Sequence, residues 1–259
     1  IVMMVPSIRL EIAFRCDKVF ALKINREAHE VYLAELAERR GYDLVFGCEV
    51  VNAKVNRRKS KVVLSVSCRD GVLRTYGADL AIIAEGYPPR LAETFTLSSK
   101  SVALIGLQRV ATLSRKLRNG SVHTLYVIVD PEVLEGGFGW VVPLSDRKIL
   151  VGVATRSQGT KTRELLNILL RAVSKSLGDV TTRNGGVFGG IVLRGYPKRL
   201  VSEYAFGIGD AVASVKSVSG GGLYAISRLV DLYARYLCSK EPLAFVEMEE
   251  LRRELQMQY

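Results

Sequence analysis

The chain has 259 residues, 48% hydrophobic and 24% charged, a globular composition with room for one large core or two modest ones. Its 37 basic against 26 acidic side chains give a net charge of +11, which favours anionic partners such as nucleic acid, phosphate-bearing ligands or acidic lipid headgroups. No window of about 18 uncharged apolar residues occurs, no basic stretch precedes the apolar residues 1–5, and no small-residue cleavage pattern follows them, so neither a membrane span nor a secretory signal is expected.

Along the chain, residues 7–24 alternate in polarity and predict two strands joined at Asp17-Lys18. Asn25 is then placed to cap a helix over 25–40. Ala28, Tyr32 and Leu36 share one face of it, Arg39 and Arg40 suit the negative end of its dipole, and Gly41 suits its stop. Strand patterns follow at 43–56, 60–68 and 72–76. Residues 78–84 form a short apolar run that predicts a buried strand, followed by Glu85-Gly86 and Pro88-Pro89. Further strands are expected near 99–110, 121–129, 137–143 and 147–154, with a turn at Ser145-Asp146. So many strands in series point to a mainly antiparallel sheet. Thr162 is a candidate cap for a helix ending at Gly178, and 186–194 is glycine-rich and extended. A short strand at 204–209 precedes two helices. The first carries Leu223, Ile226, Val230, Tyr233 and Leu237 as a stripe. The second covers 242–256, with Pro242 in its first turn.

Basic residues are dispersed, with Arg57-Arg58-Lys59 the longest run. No zinc-finger, RRM-like or helix-turn-helix signature appears, so no nucleic-acid partner is expected. Cys16, Cys48, Cys68 and Cys238 form no C-x-x-C pair and lie in apolar stretches; they are expected to be reduced core residues of a cytoplasmic protein. His29 and His123 have no ligand spacing around them, so no metal site is expected. Asn119-Gly120-Ser121 is a glycosylation tripeptide by pattern only.

The stretch that concentrates chemistry is 207–228, G-I-G-D-A-V-A-S-V-K-S-V-S-G-G-G-L-Y-A-I-S-R. A strand end followed by a glycine turn and a helix start gathers free N–H groups and the positive end of a helix dipole, so it can bind negative charge. Glycine lets a flat or phosphorylated ligand approach the backbone, and an acidic side chain such as Asp210 can accept hydrogen bonds from sugar or ribityl hydroxyls. A packing turn would use the same residues.

From Gly209-Asp210-Ala211 to Gly220-Gly221-Gly222-Leu223-Tyr224, the segment resembles the second flavin-binding motif of the geranylgeranyl reductase family, p-hydroxybenzoate-hydroxylase-like flavoproteins. Ser217 stands where that motif has a proline. A second segment, G-F-G-W-V-V-P-L-S-D-R-K-I-L-V-G-V at 137–153, resembles the family's aromatic-x-Trp-x-Phe-Pro stretch. It matches through Phe138, Trp140 and Pro143, has Val142 in place of the phenylalanine, and continues into Val151-Gly152. Asn25-Arg26 resembles the start of the family's arginine-led helix, and Ala84-Glu85-Gly86 its Ala-Asp-Gly strand end with Glu85 in place of the aspartate. The resemblance covers roughly 10–235.

It implies an α/β fold with α+β character: an incomplete FAD-binding, Rossmann-like domain plus an antiparallel-sheet substrate domain. The boundaries would be 1–90 and 201–259 for the FAD-binding part and 91–200 for the substrate domain. It further implies FAD as cofactor, held by Arg26, Gly209, Asp210, Gly220, Gly221 and Gly222, and reduction of isoprenoid double bonds on a prenyl lipid lying against Phe138, Trp140 and Pro143. The helix start at 220–222 would stabilise negative charge on the reduced flavin by about 0.3–1 kcal/mol when exposed and up to about 2 kcal/mol when partly buried. No proton donor stands out. The family's G-x-G-x-x-G unit does not precede Ser7. The expectation is therefore a fragment, a split gene product or a degenerate relative. Three alternatives stay open: a flavin monooxygenase of the same fold, a non-catalytic subunit whose partner chain supplies the nucleotide-binding unit, and plain anion or lipid binding through the basic surface. The net positive charge fits peripheral docking on an acidic membrane.

Overall fold

The computed structural model describes residues 1–8, 10–15, 22–59, 61–117, 121–156, 159–182 and 186–259. The chain opens with strands β1 (Val2–Val5) and β2 (Leu10–Ala13), then helix α1 (Arg26–Arg39). Strands β3 (Cys48–Asn56), β4 (Lys61–Cys68), β5 (Leu73–Ala78) and β6 (Ala81–Ile83) follow, and then the short helix α2 (Leu91–Thr94). Next come β7 (Ser98–Leu113), β8 (Tyr126–Ile128), α3 (Pro131–Leu134), β9 (Phe138–Pro143), β10 (Lys148–Thr155) and α4 (Gly159–Leu177). Strands β11 (Val180–Thr181), β12 (Val187–Arg199) and β13 (Ala205–Gly207) lead to α5 (Leu223–Ser239) and α6 (Pro242–Met257).

The largest sheet runs β7-β10-β9-β8-β1-β2, with β11 and β12 sharing the far edge of the long β7. Every pairing in it is antiparallel except β1 with β8. Strand alternation sorts its side chains into two faces. On one, Ile149, Val151 and Val153 of β10 are fully buried in a cluster with Leu166, Leu170 and Val173 of α4. The other face carries Phe138 and Trp140, and at its β12 edge it meets the end of α6 through Ser217 and the Tyr196–Tyr259 ring pair.

The second core lies around β6 and β13, a parallel pair, with Phe206, Leu229, Leu232, Met248 and Leu251 packed from β13, α5 and α6. The three-stranded sheet β3-β4-β5 adds Ala53 and Val62 to the same core. Gly207 O accepts from the buried Tyr233 hydroxyl at 2.6 Å, which ties α5 to β13; burial pushes that phenol well above its ordinary pKa.

Helix α1 forms as expected: the Asn25 side chain accepts from Ala28 N at 3.2 Å, and Gly41 takes a positive φ of 83°. Its apolar face, however, is uncovered; none of its residues is buried. Several other expectations are corrected. The first strand is β1; among the described residues from 7 onward the chain gives the end of a 3-10 turn (Pro6–Ile8) and the short β2, while the Asp17-Lys18 joint lies outside the described residues. Thr162 does not cap α4. It lies inside that helix, buried, with Oγ1 3.1 Å from Thr155 Oγ1. The strand expected to be buried at 78–84 shortens to β6 and leaves Ile82 55% exposed.

The cysteines are corrected most clearly. Cys48 and Cys68 are direct cross-strand partners on β3 and β4 and form a disulfide. A separation of 20 residues conceals that pairing in the sequence, and with it goes the cysteine argument for a reducing compartment. Cys238 is free and exposed rather than in the core, and Cys16 lies outside the described residues. Asn119-Gly120 lies outside them as well. No described helix is long and apolar enough to cross a membrane.

Candidate functional site

Past β13 the chain turns sharply. Gly209 takes a positive φ of 65° and opens a 3-10 turn (Gly209–Val212), and the Ser214 N–H and hydroxyl both return to Gly209 O, at 2.9 and 3.2 Å. The loop then doubles back, with Lys216 N donating to Gly221 O at 3.1 Å and Gly220 N to Lys216 O at 2.8 Å. Helix α5 starts from Gly222, with no side chain capping its first N–H groups.

Ile226 shows how close the two ends come. A Cβ built on Gly209 would lie 3.6 Å from its Cδ1, and one built on Gly222 3.4 Å from the same atom. Strand end and helix entrance therefore meet over one methyl group. A Cβ on Gly221 would touch only the Ser219 hydroxyl, at 3.4 Å.

The Asp210 carboxylate is half-buried and has no hydrogen-bond partner among the described residues. Burial raises its pKa, and the positive charge of Arg26 opposes that rise. Arg26 stands at the start of α1, paired with Glu30. Gly209 and Gly222 thus meet over Ile226, and the charge of Arg26, at the start of α1, acts on Asp210.

Gly220 serves differently. Its φ is +68°, and a Cβ there would lie 2.6 Å from Val192 Cγ1 and 2.9 Å from Leu193 O. Val192 Cγ2 would likewise meet a Cβ on Gly106 at 2.8 Å. One valine of β12 is therefore wedged between the loop and the large sheet, and it requires glycine on both sides.

The two substituted motif positions are occupied structurally. The buried Ser217 hydroxyl lies 2.7 Å from both Gly195 O and Leu255 O, joining the loop to β12 and to the last turn of α6. Glu85 accepts from Leu91 N and Ala92 N at 2.8 Å and so holds the start of α2. Its carboxylate is committed there.

On the open face of the large sheet, cross-strand registers line up one row: Phe188, Gln108, Gly152, Trp140, Val127, Met3 and Ile12. The adjacent row holds Gly190, Gly106, Ala154 and Phe138. The Phe138 and Trp140 rings stand 5.6 Å apart, tilted by 42°. Gly152 exists for the indole: a Cβ there would lie 2.6 Å from Trp140 Nε1. Pro143 does not join this surface; it is buried on the opposite, α4-covered side with Val141, because strand alternation puts odd and even residues of β9 on different faces. The roles of Gly106, Gly152 and Val192 escaped sequence reasoning, since they follow from register across four strands. The glycine within Val151-Gly152 was the one local sign.

No family model matches the chain. Over 155 residues it is 26% identical to digeranylgeranylglycerophospholipid reductase 2 of Methanopyrus kandleri, a match that covers 57% of this chain and 38% of that protein. The resemblance to geranylgeranyl reductases is borne out. Among solved structures, a geranylgeranyl bacteriochlorophyll reductase-like protein of Thermoplasma acidophilum superposes with a TM-score of 0.70 at 17% identity, covering 98% of this chain and 66% of its own. The flavin-dependent brominase Bmp2 gives 0.68 at 12% identity, covering 96% and 65%. Aklavinone-11 hydroxylase, solved with FAD and aklavinone, gives 0.58 at 16%, covering 83% and 42%. The fold is thus shared with a geranylgeranyl reductase-like protein, a flavin-dependent brominase and an FAD-bound hydroxylase, and the chain spans less than two thirds of the length of these proteins.

Proposed function

We propose that this chain forms the flavin-facing and lipid-facing part of an FAD-dependent reductase that saturates isoprenoid double bonds. The observation that carries the reading is the meeting of Gly209-Asp210 and the α5 entrance over Ile226, beside a sheet face bearing Phe138 and Trp140. The residues suit FAD on three counts. Asp210 is half-buried without a hydrogen-bond partner among the described residues, the α5 N-terminus has no side-chain cap, and Gly221 leaves its backbone open. Asp210 would accept hydrogen bonds from ribityl hydroxyls, Arg26 would face the phosphates, and the free N–H groups of α5 would stabilise negative charge. Bound FAD supplies the hydride chemistry; the protein orients it and keeps water from the prenyl chain with Phe138, Trp140 and Val142. The net charge of +11 supports docking on an acidic lipid surface.

The test is FAD retention by the purified chain, followed by anaerobic turnover of a geranylgeranyl lipid with dithionite as reductant. We expect Asp210→Ala to lose most of the flavin. Trp140→Ala should keep the flavin and lose turnover, read as the gain of two hydrogens per double bond. Unchanged flavin in Asp210→Ala would overturn the site; in a parallel aerobic assay with a reduced nicotinamide in place of dithionite, a hydroxylated product with oxygen uptake would replace reduction by monooxygenation.

A second reading has its own support. Among the described residues, β6 pairs only with β13, and α1 presents Val31, Tyr32 and Leu33 to solvent. A parallel α/β unit, in the same protein or on a partner chain, would continue the β6 edge and cover that surface. Flavin uptake only after such a unit is added would favour this reading.

A further inference from the structure

Cys48 and Cys68 are joined at one end of the β3-β4-β5 sheet. Side chains on one face of β4 run Val62, Leu64, Val66 and Cys68. Val62 is wholly buried and Val66 is 7% exposed, but at Cys68 the row leaves the core, and both cysteines are partly exposed. A cavity of about 380 Å³ opens there, with Phe46, Cys48, Cys68, Arg69, Arg74 and Tyr76 in its wall. The charges around the bond are unequal. Arg74 is paired with Asp70 through two hydrogen bonds, of 2.6 and 3.2 Å, so these two charges offset each other. Arg69 has no ion-pair partner among the described residues. Its side chain lies across Gly47, where a Cβ would be 3.1 Å from Arg69 Cδ. Gly47 precedes Cys48 and Arg69 follows Cys68, so one uncompensated positive charge is held at the cysteine end of the sheet. The strand ends have bonds of their own. Arg69 N donates to Gly47 O at 3.0 Å one step beyond the disulfide, Gly71 N donates to Cys68 O at 2.9 Å, and the ladder continues behind it with Glu49 opposite Ser67. Opening the S–S bond would therefore leave the two thiols facing each other.

We propose that Cys48–Cys68 is a thiol–disulfide exchange site, reduced by a dithiol that enters this cavity. One thiolate of the dithiol bonds to one cysteine sulfur. The S–S bond breaks, its electron pair stays on the other cysteine, and that thiolate takes up a proton. The second thiolate of the dithiol then displaces the first cysteine and closes a disulfide of its own. The dithiol loses two electrons, and Cys48 and Cys68 gain them as two thiols. Positive charge stabilises a departing thiolate, and a thiol of lower pKa leaves faster. That is the part Arg69 plays. The partial exposure and the cavity give the attacking sulfur access, and the backbone bonds at the strand ends keep the thiols in register for reoxidation. The step uses neither flavin nor prenyl lipid, so it stands or falls separately from the reductase reading.

The experiment treats the whole folded chain with dithiothreitol, a small dithiol, and separately with thioredoxin, a protein one. Free thiols are alkylated at intervals, and the peptides carrying Cys48 and Cys68 are read by mass spectrometry. Circular dichroism and the emission of Trp140, the only tryptophan, check that the chain stays folded. We expect both cysteines to become open to alkylation without urea and to close again when oxidised glutathione is added. Arg69→Ala should slow reduction about ten-fold, and Arg69→Lys should keep most of the rate. Arg69 is exposed, so folding should survive both substitutions. Faster reduction by thioredoxin than by equimolar dithiothreitol would make the donor a protein dithiol, and the reverse a small one; either supports the site. If the bond yields only in urea, it is a purely structural crosslink and the exchange site is overturned. If oxidised glutathione leaves Cys48 and Cys68 as free thiols, no bond forms and the site is overturned. If Arg69→Ala is reduced as fast as the unmodified chain, the role given to Arg69 is overturned.

Discussion

Strands β6 and β10 are both short and apolar, and the molecule treats them in opposite ways. β10 is paired on both sides, by β7 and β9, and covered by α4, so that Ile149, Val151 and Val153 are wholly removed from water. Among the described residues β6 is paired only with β13, and Ile82 remains 55% exposed. The helices follow the same division. α4 buries Leu165, Leu166, Leu170 and Val173, whereas α1 buries none of its residues. The half built on the large sheet therefore supplies its own cover, and the half around Asp210 presents apolar surface of the kind that marks an interaction site. An apolar stripe in a sequence shows that a face is suited to burial; it does not say that the same chain will bury it.

The largest effects should come from the two cores, and they test whether the halves fold as one. Leu166→Ala in the sheet core and Leu229→Ala beneath the parallel pair should each cost about 2–5 kcal/mol. Urea unfolding followed by Trp140 emission reads the sheet half. Because Val192 is wedged against Gly220, and Ser217 ties β12 to α6, we expect Leu229→Ala to shift the Trp140 transition as far as Leu166→Ala does. An unmoved Trp140 midpoint in Leu229→Ala would show two independent units.

A smaller effect probes the finished half alone. Gly152→Ala puts a methyl group into the space of the Trp140 indole and should cost about 1–3 kcal/mol through overpacking. The emission maximum of Trp140 should move with it, as the ring is pushed from the sheet toward solvent. Unchanged emission and stability would mean that the indole does not rest where the register of β9 and β10 places it.

What the sequence made legible follows the same division between local and non-local causes. Helix α1 could be read from Asn25, its apolar spacing and Gly41, because capping and periodicity act within a few residues. α5, α6 and the glycine turn were legible on the same grounds, and so was the antiparallel series from 98 to 155. Cross-strand events were hidden. The Cys48–Cys68 bond depends on the register of β3 with β4, and the separation of Pro143 from Trp140 depends on which face of β9 meets α4. Arg26 and Asp210 were legible only as two separate motif positions; that the charge of Arg26 acts on Asp210 requires the fold. Glu85 looked like a weakened cofactor residue and instead holds the start of α2, a partner choice that no spacing rule reveals.

The smallest effect sharpens the comparison most, because it asks what the uncovered half retains at a cost. Burial raises the pKa of Asp210 and Arg26 only partly offsets this, so the folded chain holds the proton more tightly than the unfolded chain does. The sign follows: as pH rises through the raised folded-state pKa, ionised Asp210 subtracts stability, and below the ordinary carboxylate range the penalty is absent. Asp210→Asn removes the ionisation, so at neutral pH the flavin-free variant should unfold at a slightly higher urea concentration than the unmodified chain. The difference should shrink to nothing in acid. Arg26→Gln should enlarge the penalty in the unmodified carboxylate, since it removes the opposing charge. The same Asp210→Asn change should weaken flavin retention, so stability and binding would move in opposite directions, as expected of a charge kept for a ligand rather than for the fold. If Asp210→Asn is no more stable at neutral pH, or its advantage is constant across pH, the carboxylate is not held against its own solvation and its place in the site loses its physical basis.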